Sequence, residues 1–308
     1  MTAEPRSGTR ARVRRTGLRA APVALAVLLP MAGCAPAGAP VDERLDISDY
    51  SEVHAVLDRT NELMTYPIDA YFIDAEGLGR IVQANALLRD DCMREGGRTD
   101  PSAAYDLARS AVVTETTFGI WSPERAARSG YGFDTPPAAA VEAASAAVLE
   151  AAAAADPGWE DAMSACEDRV ETLPGLGRDY AADEGMEITQ LPQAITNDAG
   201  RLASADPRWD QARARWGECL VAHGLQLRTD SEQPWSPQVP DDPEAAIRTA
   251  VQDVQCKVDT RLVETLSSLQ AQYQAALIDG HRAELDEVAK KERAVLERAD
   301  AVIARHGR

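Results

Sequence analysis

The sequence predicts an all-α fold: an irregular helical bundle with a long C-terminal helix, stapled by two disulfides. Three observations carry this. Ala supplies 56 of the 308 residues, while aromatics make up only 5%. Such a core favours close-packed helices over a β-sandwich, which wants β-branched and aromatic side chains. Apolar residues recur at spacings of three and four over long stretches, above all in 74–95 and 243–305. No run reads as a convincing set of alternating strands, which argues against an α/β binding-protein fold.

The first helix is expected from Ser51 to about Met64, ahead of Pro67. A second covers 74–95, with Leu78, Ile81, Val82, Ala84, Leu88 and Cys92 on its face, and stops at Gly96-Gly97. Pro101-Ser102 open a third, from Ala103 to about Thr114. Ser122 as N-cap, Pro123 behind it and the early acid Glu124 start a short helix that closes at Gly130. The Ala run 138–155 is helical by propensity.

Asp156-Pro157-Gly158-Trp159 restarts a helix, and Asp206-Pro207-Arg208-Trp209 repeats that start fifty residues later. Asp as cap and Pro in the first turn suit both. Either this is a weak repeat of a capped helix presenting a Trp and then a Cys, or a common cap is used twice. Pro174, Gly175, Gly177, Pro192 and Gly200 mark 173–200 as a hinge or long connection, and 226–243 as a Pro-rich polar loop follows later. Asp242 and Pro243 start the longest helix. Its apolar positions run from Val251 through Val258, Leu262 and Leu266 to Leu277, and resume at Leu285, Val288, Val295 and Val302. One helix to about Arg305 is expected, roughly 90 Å at 1.5 Å per residue. The bend is placed at Gly280, where Gly costs about 1 kcal/mol against Ala.

The first 19 residues carry Arg6, Arg10, Arg12, Arg14, Arg15 and Arg19 against one acid, Glu4, and residues 20–33 are apolar. That apolar run is too short to cross a bilayer, which takes about 20 residues. A basic segment, a short apolar segment and small residues before a cut site describe a secretory signal. Met31-Ala32-Gly33-Cys34 resembles the bacterial lipobox, which implies cleavage before Cys34 and acylation of its thiol by a diacylglyceryl group, palmitate among the chains. The domains expected are a signal peptide (1–33), a lipid anchor and tether (34–45) and a helical extracytoplasmic body (46–308). Two chains at about 0.8 kcal/mol per buried CH₂ anchor stably where one would be marginal. Arg14-Arg15 also looks like a twin-arginine signal, but Gly17 stands where that pattern prefers an apolar residue; general secretion is the alternative.

The net charge is −18, and removal of 1–33 leaves 26 basic against 49 acidic residues. An acidic body excludes non-specific nucleic-acid binding. It is also repelled by anionic headgroups within a Debye length, about 8–10 Å. A tether of about ten residues reaches at most about 35 Å, so the body stays near the membrane without lying on it.

Cys92, Cys166, Cys219 and Cys256 remain besides Cys34, an even count that reads as two disulfides in an exported chain. Pairing of neighbours, Cys92–Cys166 and Cys219–Cys256, is favoured, with interleaved pairing as the alternative. None has CxxC spacing, so redox and zinc-ribbon readings are poor.

Trp209…Trp216-Gly217-Glu218-Cys219-Leu220, His223-Gly224 and Ala250…Asp253…Cys256 resemble uncharacterised secreted lipoproteins of actinobacteria. Cys92-Met93 and Phe118-Gly119-Ile120-Trp121…Gly130-Tyr131-Gly132 look like the same group. The resemblance implies fold and location, and no activity.

His54, His223, His281 and His306 form no HxH, HExxH or HxxxH pattern, and no GxSxG, SxxK or GxxxxGK[ST] string occurs. No metal or cofactor is expected. Asp253, beside Cys256 on its helix, is either a buried acceptor or part of an exposed face. Trp121, Tyr131 and Phe133, set among Gly, Ser and Pro, are the candidate binding residues. They either stack on a sugar or peptide or plug an Ala-rich core short of large rings. The expected function is a membrane-anchored, non-enzymatic module that docks an envelope protein or polymer. The alternatives are an accessory subunit of a membrane transport system, using the long helix as a rod, and an envelope hydrolase.

Overall fold

Four helices begin where a side-chain oxygen closes the first turn. Asp74 accepts from Gly77 N, Ser122 from Arg125 N, Asp206 from Arg208 N and Asp242 from Ala245 N. Three of these starts also carry Pro, whose missing N–H is not needed there. The computed structural model describes residues 45–104, 117–132, 137–174, 183–229 and 234–307, all in the unit Val41–Arg308. Among the described residues lie strands β1 (Val56–Asp58) and β2 (Leu63–Thr65), and helices α1 (Ala75–Glu95), α2 (Pro123–Ser129), α3 (Pro137–Ala155), α4 (Trp159–Arg169), α5 (Asp183–Ala205), α6 (Pro207–Ala222), α7 (Pro243–Asp259), α8 (Leu262–Gly280) and α9 (Arg282–Arg305). The expected helical class is borne out, and so are the disulfides Cys92–Cys166 and Cys219–Cys256.

Helix α8 is the axis of the main core. Its Leu262, Leu266, Leu269 and Tyr273 are buried with Ile195, Ala199 and Leu202 of α5 and Trp209, Trp216 and Leu220 of α6. A second core joins α1 to α9 through Ile81, Ala84, Leu87, Val288, Val295 and Val302. A third surrounds Cys92–Cys166 with Met93, Trp159 and Met163. Ala84, Ala199, Ala203, Ala212 and Ala299 are wholly buried. Small residues thus sit between the helices, where interaxial distance depends on side-chain size.

The helix expected over 51–64 is instead the hairpin β1–β2, with Leu57 opposite Met64. The Asp58 carboxylate accepts from the backbone N–H of Thr60 and Asn61 at 3.0 and 3.1 Å, building a turn that competes with helix. Glu62 follows with φ at 53°, which a helix does not admit. The third expected helix is a 3-10 turn, Pro101–Ala104, at its start; residues 105–116 lie outside the described residues.

The single helix over 243–305 is three. Arg261 turns left-handed, with φ at 53°, and α8 starts after it; His281, next to the expected bend at Gly280, separates α8 from α9. The long C-terminal helix is α9, 24 residues, about 36 Å at 1.5 Å per residue. Within 173–200, residues from Asp183 onward belong to α5 despite Pro192, because Ile195, Ala199 and Leu202 bury one face. Packing of an apolar face outweighs local punctuation; residues 175–182 lie outside the described residues.

The Asp-Pro starts are alike in the turn and unlike in the helix. Trp159 N donates to Asp156 O and Trp209 N to Asp206 O, both at 2.9 Å. Each Asp side chain accepts the N–H two residues on, at 2.9 Å. Yet α6 starts at Pro207, while α4 starts at Trp159 with Gly158 in the cap position.

Candidate functional site

Residues 117–132 are held by four buried charges. Glu62 Oε1 accepts the backbone N–H of Trp121 (2.6 Å) and Ser122 (2.7 Å), and Oε2 pairs with the Arg125 guanidinium. Arg125 Nη2 donates to Gly132 O at 3.3 Å. From α7, Lys257 Nζ donates among Phe118 O (3.0 Å), Ile120 O (2.8 Å), Trp235 O (2.9 Å) and Asp253 Oδ2 (3.1 Å). Asp253 in turn accepts from Trp216 Nε1 at 2.9 Å and Tyr131 OH at 3.1 Å. Gly119 makes room, with φ at 68° and a virtual Cβ only 2.7 Å from Trp235 O.

Burial pushes Lys257 down and Asp253 up, and each opposes the other's shift. The hydrogen-bond set nonetheless fits the ionised pair. Four oxygens surround Nζ, which needs all three ammonium protons, and the donors to the Asp253 carboxylate leave no acceptor for an acid proton. With Lys257 1% and Asp253 0% exposed on their side chains, the network is closed to solvent. Its chemistry is to fix a loop between α2, α6 and α7.

The expected binding residues divide accordingly. The stacking role for Trp121 is corrected: its ring is wholly buried in the main core and offers no face to a ligand. Tyr131 is half-buried on the Ile120–Val254 cluster, and burial together with Asp253 raises its phenol. Phe133 lies outside the described residues, as does Cys34. The buried reading of Asp253 holds. The rings that gather are Phe118, Trp209, Trp216 and Trp235, with Phe118 and Trp235 5.2 Å apart edge to face and Arg213 4.4 Å over Trp235. Glu62, Arg125 and Lys257 were not anticipated. Lys257 had a signal: it is one of three Lys in an Arg-rich chain and lies one turn from Asp253.

Cys219, His223 and Cys256 bring possible ligand atoms within 4.8 Å of one another, but both sulfurs are consumed in the disulfide. Open clefts lie elsewhere. One of about 470 Å³ is lined by Asp90, Asp91, Asp100 and His306. There His306 spans Val302 O (2.8 Å) and Asp91 (3.0 Å), which raise its pKa, and Asp100 is tied to Arg89.

Another cleft, of about 350 Å³, runs between the Asp69–Asp74 turn, α1 and α9, and Glu292 lines it. Glu292 is 6% exposed. Burial pushes its carboxyl up to about 7, against the opposing pull of Arg293 and an Ile73 backbone hydrogen bond. The proton held by the folded state stabilises it below the unfolded carboxyl's range, and that contribution is lost as pH rises through about 7. Glu292→Gln is therefore expected to leave melting at pH 4, below the unfolded carboxyl's range, nearly unchanged. At pH 8 it should raise stability by about 2 kcal/mol, since one pKa unit is about 1.4 kcal/mol and the shift is discounted for partial solvation. Melting curves at both pH values check this; equal gains at both would refute it.

Comparison with known proteins gives no match to a family model, a curated protein or a solved structure. The functional reading rests on the residues themselves.

Proposed function

We propose that the chain is an extracytoplasmic lipoprotein, anchored through Cys34, whose helical body is a non-enzymatic binding or docking module of the cell envelope. The observation that carries this is the order of a basic segment, an apolar segment and Met31-Ala32-Gly33-Cys34. Two disulfides agree with an oxidising compartment. No helix among the described residues is long and apolar enough to cross a membrane, so a lipid supplies the attachment in this reading. The rod imagined for a transport subunit loses its basis, because the helix over 243–305 is broken twice.

Cys34→Ala is expected to move the protein from the detergent phase to the aqueous phase in detergent phase partitioning. Retention of the variant in the detergent phase would remove the anchor.

A further inference from the structure

We propose that the cleft between the Asp69–Asp74 turn, α1 and α9 binds a free amino acid, with Glu292 taking its ammonium and Arg80 its carboxylate. Two buried polar atoms of opposite character carry this. Glu292 Oε1 and Arg80 Nε each lack a hydrogen-bond partner, and both residues line the same cleft. A buried polar atom without a partner costs about 1–3 kcal/mol, so two such atoms on residues that line one cleft mark places for a ligand's groups. Arg80 Nη1 is already engaged by both oxygens of Asp300 at 3.1 Å, which fixes the guanidinium, while Nε has no partner.

The remaining lining decides the ligand class. Phe72, Ile73, Ala289 and Leu296 supply an apolar wall. Gly77 keeps that wall closed, since a virtual Cβ there lies 2.5 Å from Ile73 Cγ2 and 3.2 Å from Leu296 Cδ2. A bare metal cation fits poorly. Asp69 and Asp74 are spent on the backbone N–H of Tyr66 and Gly77, and Arg80 and Arg293 stand on the same cleft. A simple anion fits poorly too, because it would face Glu292. A molecule with an ammonium, a carboxylate and a short apolar part satisfies both atoms and the wall. A cleft of about 350 Å³ lies at the small end of ligand sites, about 300–1,000 Å³.

The same arrangement makes binding pH-dependent. The charged groups that line the cleft with Glu292 are Arg293 on its own helix, Arg80 and Asp74 at α1, and Asp69 in the turn. An ammonium wants the ionised carboxylate, so binding displaces the proton that burial holds on Glu292. With that carboxyl at about 7, affinity is expected to rise about tenfold from pH 6 to pH 8. The inference goes beyond the anchor reading and is independent of it: binding is measured in solution, whatever Cys34 carries.

The test is calorimetric titration of the full chain in detergent with each of the twenty common amino acids, and with methylamine and acetate as half-ligands. Saturable binding of at least one amino acid is expected, about tenfold tighter at pH 8 than at pH 6, with proton release seen as a heat that varies with the buffer. Glu292→Gln, which should fold at least as well as the natural chain, is expected to weaken binding at least tenfold at pH 8, and Arg80→Met likewise. Absence of binding to every amino acid at pH 8 overturns the proposal. So does affinity unchanged by Glu292→Gln, or acetate binding as tightly as the best amino acid. Ordered water alone in the cleft of crystals grown with that amino acid would overturn it as well.

Discussion

Lys257→Met is expected to destabilise the protein by about 3–5 kcal/mol, the usual cost of removing one partner from a buried ion pair. At about 2–4 °C per kcal/mol for a domain of this size, the melting temperature should fall by roughly 6–20 °C. Met fills a similar volume, so the loss is not a cavity. It leaves the Asp253 carboxylate uncompensated and takes the ammonium from Phe118 O, Ile120 O and Trp235 O. Asp253→Asn is expected to cost less, because an amide oxygen still accepts from Trp216 Nε1 and Lys257 retains three carbonyls. Thermal melting of both variants decides. A Lys257→Met midpoint within about 2 °C of the natural chain would show that Nζ is not holding the 117–132 loop.

The sequence made some parts of this legible and hid others for identifiable reasons. Caps at Ser122, Asp206 and Asp242 were readable because a cap is local: one side chain, one N–H, and a Pro beside them. The break at Arg261 was hidden because the apolar phase from Val258 to Leu262 steps across it undisturbed. Periodicity constrains which face is buried, and it says nothing about the φ of an exposed residue between. The hairpin was hidden for the opposite reason. Strands of three residues are too short to show alternation, so the turn chemistry of Asp58 and Asn61 was the available signal. Trp121 was readable either way, because Gly and Ser neighbours suggest an exposed loop while an Ala-rich core is short of large rings; Glu62 and Lys257 satisfy that loop's backbone from two distant elements and let the ring be buried. Glu292 could not be found at all. Nothing separates it in sequence from the acids around it; only the packing of α9 against the Asp69–Asp74 turn does.

Replacing both Cys219 and Cys256 by Ala is expected to cost about 4 kcal/mol, because the link closes a loop of 37 residues and loop-closure entropy of that size is worth about that much. The loop it closes has little else to hold it. Between α6 and α7, the pairing across the described residues includes the Leu227–Pro237 bridge, Gln238 N to Gln226 O at 2.8 Å and a long Arg228 N to Ser236 O contact at 3.5 Å, and Arg213 Nη2 reaches Pro234 O at 3.4 Å. Beyond that, Trp235 is the anchor, packed on Phe118, Trp209 and Trp216 and offering its carbonyl to Lys257. The disulfide and the buried charge thus restrain the same segment, so their losses should not add. Once the link is gone, Lys257→Met is expected to cost less than it does in the oxidised protein, with a coupling of about 1 kcal/mol, within the range seen for residues that share a partner. Chemical denaturation of the four forms measures it. Additivity within about 0.3 kcal/mol would mean that the disulfide acts on the unfolded chain alone. A loss under about 1 kcal/mol for the Ala pair would mean that the aromatic cluster closes this loop by itself.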